Sequence, residues 1–246
     1  MSLKYQSDAD ETPLETGTET VAHATARQPL PVYTIILLAC IAAVMAAELA
    51  HGLEPSILAA GFVKRAFVAN HEYWRILTGA ALHGGLLHVA MNGYALYSFG
   101  RLFEQLSNRA HLAVVFLLSA IGGGVLSLIM LPDGISVGAS GGIVGLISYL
   151  AVYAFRRRQF ISPEFRKNLL INIGFILVFG LVLYQVIDNF GHIGGLIVGA
   201  VYGFAQIPAD EYADPREASS TAQIFGLIAL GTYIATSLFS IYLMLK

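Results

Sequence analysis

The sequence predicts an all-α, polytopic membrane protein, and three observations carry that prediction. Hydrophobic residues fill 56% of the 246 positions and charged residues only 12%, about half the ~25% charged residues of a soluble chain. The apolar residues come in runs near the ~20 that a helix needs to cross the hydrocarbon core of a bilayer. All 14 Lys and Arg residues fall between those runs or at their edges. The net charge of −2 offers no basic field for nucleic acid. A single cysteine, Cys40, excludes an intrachain disulfide and says nothing about the compartment.

Taken in chain order, residues 1–30 are polar and rich in Thr, Glu and Asp, and read as a flexible cytoplasmic tail. The apolar run behind them is too long for a signal peptide, and their acidity does not suit a mitochondrial transit peptide. Seven spans follow, at roughly 31–51, 79–100, 110–131, 138–155, 168–186, 189–207 and 222–245. The segment 208–221, "PADEYADPREASST", is a polar linker before the seventh span. With the N-terminus inside, the inner segments hold ten Lys and Arg residues and the outer ones four (Lys64, Arg65, Arg75 and Lys246). Excess positive charge stays on the cytoplasmic side. Spans 2, 4 and 6 then run from the outside inward.

Polar groups inside a membrane are costly and usually face a cavity or a partner. Here they concentrate on those three spans. Span 2 carries His83, His88 and Asn92 in "HGGLLHVAMN", span 4 begins with Ser140 in "GASGGIVGL", and span 6 begins with His192 in "NFGHIGGLIVGA". At ~1.5 Å of rise per residue, Ser140 and His192 lie at similar depth, near the outer ends of their helices. Gly195 and Gly199 share a face with His192, and Gly138, Gly141, Gly142 and Gly145 surround Ser140. Small-residue stripes let two helices approach to backbone contact. A hydroxyl within reach of an imidazole is the minimum unit of an activated serine nucleophile. His88 and Asn92, four apart, share a helix face and can donate hydrogen bonds to a developing oxyanion, together with the Ser140 amide.

Each of these residues taken alone is explained by packing. Four polar groups on three like-directed helices are not. His83 and His88 suggest a metal, but five positions apart on a helix they point ~140° away from one another. The spans are read as holding no Asp, Glu or Cys to complete a shell, so neither a metal site nor a cofactor is expected.

The residues resemble those of the rhomboid intramembrane serine proteases. The resemblance covers roughly 31–207 and rests on "YWR" (Tyr73–Arg75), "HGGLLHVAMN", "GASG" and "NFGHIGGLIVG". In order and spacing these match the family's Trp-Arg loop and its H-x4-H-x3-N, G-x-S-G and H-x2-G-x3-G signatures. The resemblance implies a six-helix catalytic core with an extra C-terminal transmembrane helix, here 222–246. It makes Ser140 the nucleophile, His192 the general base and acid, and His88 and Asn92 the oxyanion donors. Trp74 and Arg75 belong to the first external loop, 52–76, which also suits the membrane interface. Glu104 matches a structural acid after span 2, and His83 stands near the site. Gly138 and Gly141 sit at the serine, while Gly195 and Gly199 match close packing of helix 6 on helix 4. Asp188, four before His192, is left out, because the family works with a dyad.

The implied activity is cleavage of single-pass membrane proteins near the outer end of their transmembrane segments, in a bacterial cytoplasmic membrane, with the lipid bilayer as the other partner. Val144, four after the serine, stands where the family's motif carries an aromatic ring under the imidazole. Phe190 or Tyr184 are the neighbours placed to compensate. A rhomboid-like protein that binds membrane clients without cutting them is the alternative, although such relatives typically lose the serine or the histidine. A retinal protein would need a lysine inside a span, and a transporter would more often show an inverted repeat. Oligomeric state is not legible.

Overall fold

The computed structural model describes residues 29–210 and 212–246. Apart from Pro29 and Leu30, the expected 1–30 tail lies outside the described residues. Seven helices of 17 or more residues form a bundle: α1 (Val32–His51), α5 (Leu86–Leu106), α6 (Arg109–Met130), α7 (Ser140–Arg156), α8 (Pro163–Val182), α9 (Asn189–Gln206) and α10 (Ser220–Leu245). Between α1 and α5 run three short helices, α2 (Leu53–Ala60), α3 (Lys64–Ala69) and α4 (Arg75–Thr78). A two-residue strand there, β1 (Phe62–Val63), pairs antiparallel with β2 (Ile135–Ser136), joining Phe62 to Ser136 and Val63 to Ile135. This ties the loop before α5 to the loop before α7.

Local chemistry sets the helix starts. Asn108, Ser162, Asp188 and Ser219 are N-caps whose side-chain oxygens accept from Ala110, Phe165, Gly191 and Ala222 amides at 2.8–3.2 Å, satisfying donors that have no partner within the helix. Pro163 opens α8, where a missing N–H costs nothing. Gly85 (φ 137°) and Gly138 (φ 126°) lie just ahead of α5 and α7. Both backbone conformations are left-handed and favour glycine.

Two expected spans move, and the second also runs on past 100 to Leu106. The second span, placed at 79–100, becomes a helix only from Leu86, because the Gly84–Gly85 pair keeps 79–85 out of the helix. The fifth, placed at 168–186, begins at Pro163 and ends at Val182. Among the described residues four helices (α1, α6, α8 and α10) are long and apolar enough to cross a membrane alone. The three that fall short are α5, α7 and α9, those with the polar groups. α7 is central: 11 of its 17 residues are buried, and it packs against α5, α6, α8 and α9. Large apolar side chains such as Phe175, Val178 and Leu181 on α8 and Phe225 and Ile228 on α10 face outward, as lipid-facing surfaces require.

α10 lies on α1 and α6. Its Tyr233 is buried, donates to the Ala80 carbonyl at 3.3 Å, and meets Phe116 edge-on. At the opposite end of the bundle from Ser140, Glu104 of α5 accepts from the Thr34 amide and hydroxyl, both at 2.8 Å. It thereby caps α1.

Candidate active site

Three glycine-lined helices bring the site together. A methyl group on Gly195 of α9 would strike the Gly141 carbonyl oxygen of α7, and one on Gly199 the Gly145 carbonyl oxygen. On the other side of α9, a methyl on Gly194 would stand 2.5 Å from the Gly122 carbonyl oxygen of α6. No residue larger than glycine allows this backbone approach. It places the first residue of α7 beside the first turn of α9, and the His192 ring nitrogen Nε2 stands 2.9 Å from Ser140 Oγ. His192 is buried and Ser140 partly exposed.

For the serine hydroxyl to donate to Nε2, the imidazole must carry its proton on Nδ1. That nitrogen is buried and has no hydrogen-bond partner. Asp188 is occupied elsewhere. One carboxylate oxygen accepts from the Gly191 amide at 2.9 Å, and the other from Ser136 at 2.6 Å and from Ser127. Burial alone would raise the Asp188 carboxyl. Bonds from Ser127, Ser136 and Gly191, with Lys64 nearby, outweigh it and hold the group below its ordinary range. The arrangement is a Ser–His pair without an acid on the imidazole.

His88 and Asn92 reach the same place from α5. A side-chain carbon on Gly138 would lie 2.9 Å from the His88 ring and 3.7 Å from Asn92 Nδ2. His88 Nδ1 accepts the Gly84 amide at 3.3 Å, which leaves the proton on Nε2, the nitrogen facing Gly138. Asn92 Nδ2 donates to the His88 carbonyl at 3.3 Å and keeps its second N–H. The first amide bond into α7 runs from Ile143 to the Ala139 carbonyl at 3.1 Å, so the helix does not consume the amides of Ser140, Gly141 and Gly142. Donors from α5 therefore stand at Gly138, two residues before Ser140 and its free amide.

The remaining sequence-selected residues stand further out. Arg75 organises the loop before α5, donating to the carbonyls of Gly61 (2.9 Å) and Leu58 (3.2 Å) and pairing with Glu72. Trp74 is exposed and meets Phe239 of α10 edge-on at 6.1 Å. Glu104 lies at the other end of the bundle. Val144 is 2% exposed. It sits one turn below Ser140 and one above Ser148, whose hydroxyl donates to the Leu196 carbonyl of α9 at 2.6 Å. That row runs alongside α9, with Val144 beneath the dyad. Tyr184 is 71% exposed and faces outward, so it does not support the imidazole.

Two corrections concern His83. It precedes α5 and is not on its helix, so the ~140° separation from His88 does not apply; the two rings meet edge-on at 5.1 Å. The first span also holds both a sulfur and an acid, Cys40 and Glu48. Glu48 of α1 is fully buried, and both its carboxylate oxygens accept from the His83 amide at 3.1 Å. Glu48 was visible in the sequence as a carboxylate within an apolar run. Among the described residues no three His, Cys, Asp or Glu side chains converge as a metal site would need.

A bundle of apolar helices with a serine and a histidine facing one another near one end defines an integral membrane protein with the parts of a serine hydrolase. A family model described as the Rhomboid domain matches residues 70–209, more than half of the chain, and the chain belongs to the rhomboid family. It is 35% identical over 144 residues to Rhomboid protease GluP of Bacillus subtilis (strain 168), which covers 58% of this chain and 28% of that protein. It is 34% identical over 139 residues to RHOMBOID-like protein 6, mitochondrial, of Arabidopsis thaliana, covering 56% and 45%. Inactive rhomboid protein 1 of Papio anubis is 32% identical over 139 residues, covering 56% and 16%. The match thus spans less than half the length of each relative, and relatives named as protease and as inactive both occur.

Proposed function

We propose that this protein is an intramembrane serine endopeptidase that cleaves transmembrane segments of single-pass membrane proteins near the outer membrane face. The observation that carries the reading is the 2.9 Å contact between Ser140 Oγ and His192 Nε2, supported by His88 and Asn92 standing at Gly138, two residues before the serine. His192 accepts the hydroxyl proton as Oγ attacks the scissile carbonyl. The negative charge that develops on the carbonyl oxygen is met by His88 Nε2–H, Asn92 Nδ2–H and the Ser140 amide. His192 then protonates the leaving amine. Water, deprotonated by the same imidazole, releases the acyl group from Ser140. No cofactor enters the sequence.

The proposed organisation is a catalytic core over 31–207, a linker over 208–221 and a further helix over 222–246, behind a cytoplasmic tail over 1–30. Residues with small side chains before the scissile bond and helix-loosening residues after it are the substrates the family resemblance suggests. A bacterial cytoplasmic membrane with the N-terminus inside places the dyad at the outer face. A cysteine near Pro163 then resists an impermeant thiol reagent in intact cells while one near Asp133 reacts; the reverse pattern inverts the topology.

The inactive relative gives the second reading its footing: a protein that holds membrane clients without cutting them. Purified protein in lipid, incubated with a single-pass reporter, separates the two. Cleavage by the wild type and none by Ser140→Ala supports the protease. Capture of the intact reporter by both supports the client-binding protein.

A further inference from the structure

Asp188 and the buried Lys64 form a polar cluster that the dyad does not use. Lys64 is the first residue of α3, in the loop after α1, yet it is only 1% exposed. Its ammonium donates to Ser127 Oγ of α6 at 2.7 Å and stands 4.0 Å from an Asp188 carboxylate oxygen. Ser127 and Ser136 both donate to that same oxygen. The other oxygen of Asp188 accepts the Gly191 amide, and its backbone carbonyl accepts the His192 amide at 3.2 Å. One carboxylate thus joins the loop after α1, the end of α6, β2 and the first turn of α9. That turn carries His192.

The imidazole itself has little else to fix it, since Nδ1 is without a partner. Its position depends on the backbone of the first turn of α9, and a displacement of ~1 Å in a reacting group can cost about 10²-fold in rate. A lysine is buried at such a place only if its charge is answered. We propose that Asp188 is a positioning residue for His192, clamped from the loop after α1 by Lys64. The carboxylate closes the first turn of α9, and the ammonium with its two serines keeps that carboxylate in place. The inference rests on the reading of Ser140 and His192 as the reacting pair.

Asp188→Asn, Lys64→Met and the double variant test the clamp in lipid, each checked for folding by its thermal transition. Asp188→Asn keeps an oxygen for the Gly191 amide and removes the charge. Each single variant lowers kcat at least about tenfold while KM stays within about twofold, the pattern of a group that acts on the transition state alone. The double variant is faster than either single, because neither charge is then left without its partner. A double variant no faster than Asp188→Asn overturns the clamp, and so do singles with wild-type kcat.

Where a charge variant does not fold, Ser136→Ala removes one bond to Asp188 without changing charge. It lowers kcat a few-fold at constant KM, and an unchanged kcat or a raised KM overturns the proposal. A second readout needs no proteolysis. Hydrogen exchange at the Gly191 and His192 amides speeds up in Lys64→Met and slows again in the double variant; unchanged exchange in Lys64→Met overturns the clamp even if no substrate is cut. Failure of the protease reading shows itself separately, as a wild type that cleaves no more reporter than Ser140→Ala.

Discussion

The helices α8 and α9 follow one another in the chain, and both are apolar, but apart from Gly180, packed on Asn189 near the end of α8, their glycines do different things. On α9, Gly194, Gly195 and Gly199 lie against the backbones of α6 and α7. On α8, a methyl at Gly174 would meet nothing within 4 Å, and only 11% of the helix's apolar window is buried against 50% for α6. α8 is held to α9 near its end, where Asn189 Nδ2 donates to the Leu177 carbonyl at 3.2 Å. In a membrane the lipid is as apolar as a neighbouring helix, so close packing has to be built from small residues. α9 is packed that way and can carry a polar group at a fixed place. α8 is coated with large side chains and meets lipid. The contrast separates a closely packed Ser140–His192 pair from a loosely attached flank.

The largest effect is expected at the centre. Ser140→Ala and His192→Ala each abolish cleavage, and the double variant is no slower than either, because the two residues act as one unit. Additive losses measured on the reporter would mean that they work independently. Loss of an oxyanion donor comes next: His88→Ala or Asn92→Ala lowers turnover by about 10²–10³ with little change in binding. A variant that mainly raises KM places that residue along the substrate path.

The glycine contrast predicts opposite signs. Gly199→Ala forces α9 away from α7 and destabilises the protein by about 1–3 kcal/mol, seen as a lower thermal transition in detergent. Gly174→Ala leaves the transition unchanged or raises it, since alanine gains up to ~1 kcal/mol of helix propensity over glycine. Equal destabilisation by both would erase the distinction between the two helices. The smallest effect is expected at Val144. Val144→Phe keeps the fold at a strain cost of about 1–3 kcal/mol and raises turnover per folded molecule by giving His192 a flat surface. Slower turnover in a folded variant would make Val144 native packing.

Much of the centre was legible in the sequence, since Ser140, His192, His88 and Asn92 are polar groups in apolar runs and a membrane makes such groups conspicuous. The glycine stripes at 141/145 and 195/199 were legible for the same reason, as a fixed spacing on a helix face. What escaped depended on pairs far apart in the chain. Lys64 and Asp188 are separated by 124 positions, and each reads as an ordinary loop charge until the fold buries the lysine. His83 falls within an apolar run that reads as helix from residue 79, whereas Gly84 and Gly85 hold it out. Glu48 stood in plain view within the first span, but its partner is a backbone amide, which no side-chain pattern reveals.

The central claim is that His192 activates Ser140. A fluorophosphonate reacts with an activated serine hydroxyl much faster than with an ordinary one, and it needs no knowledge of the substrate. The protein in lipid is treated with the probe, and the site of labelling is mapped by peptide mass. The account predicts labelling at Ser140 in the wild type, lost in Ser140→Ala and lost equally in His192→Ala. Undiminished labelling of Ser140 in a folded His192→Ala variant would contradict it.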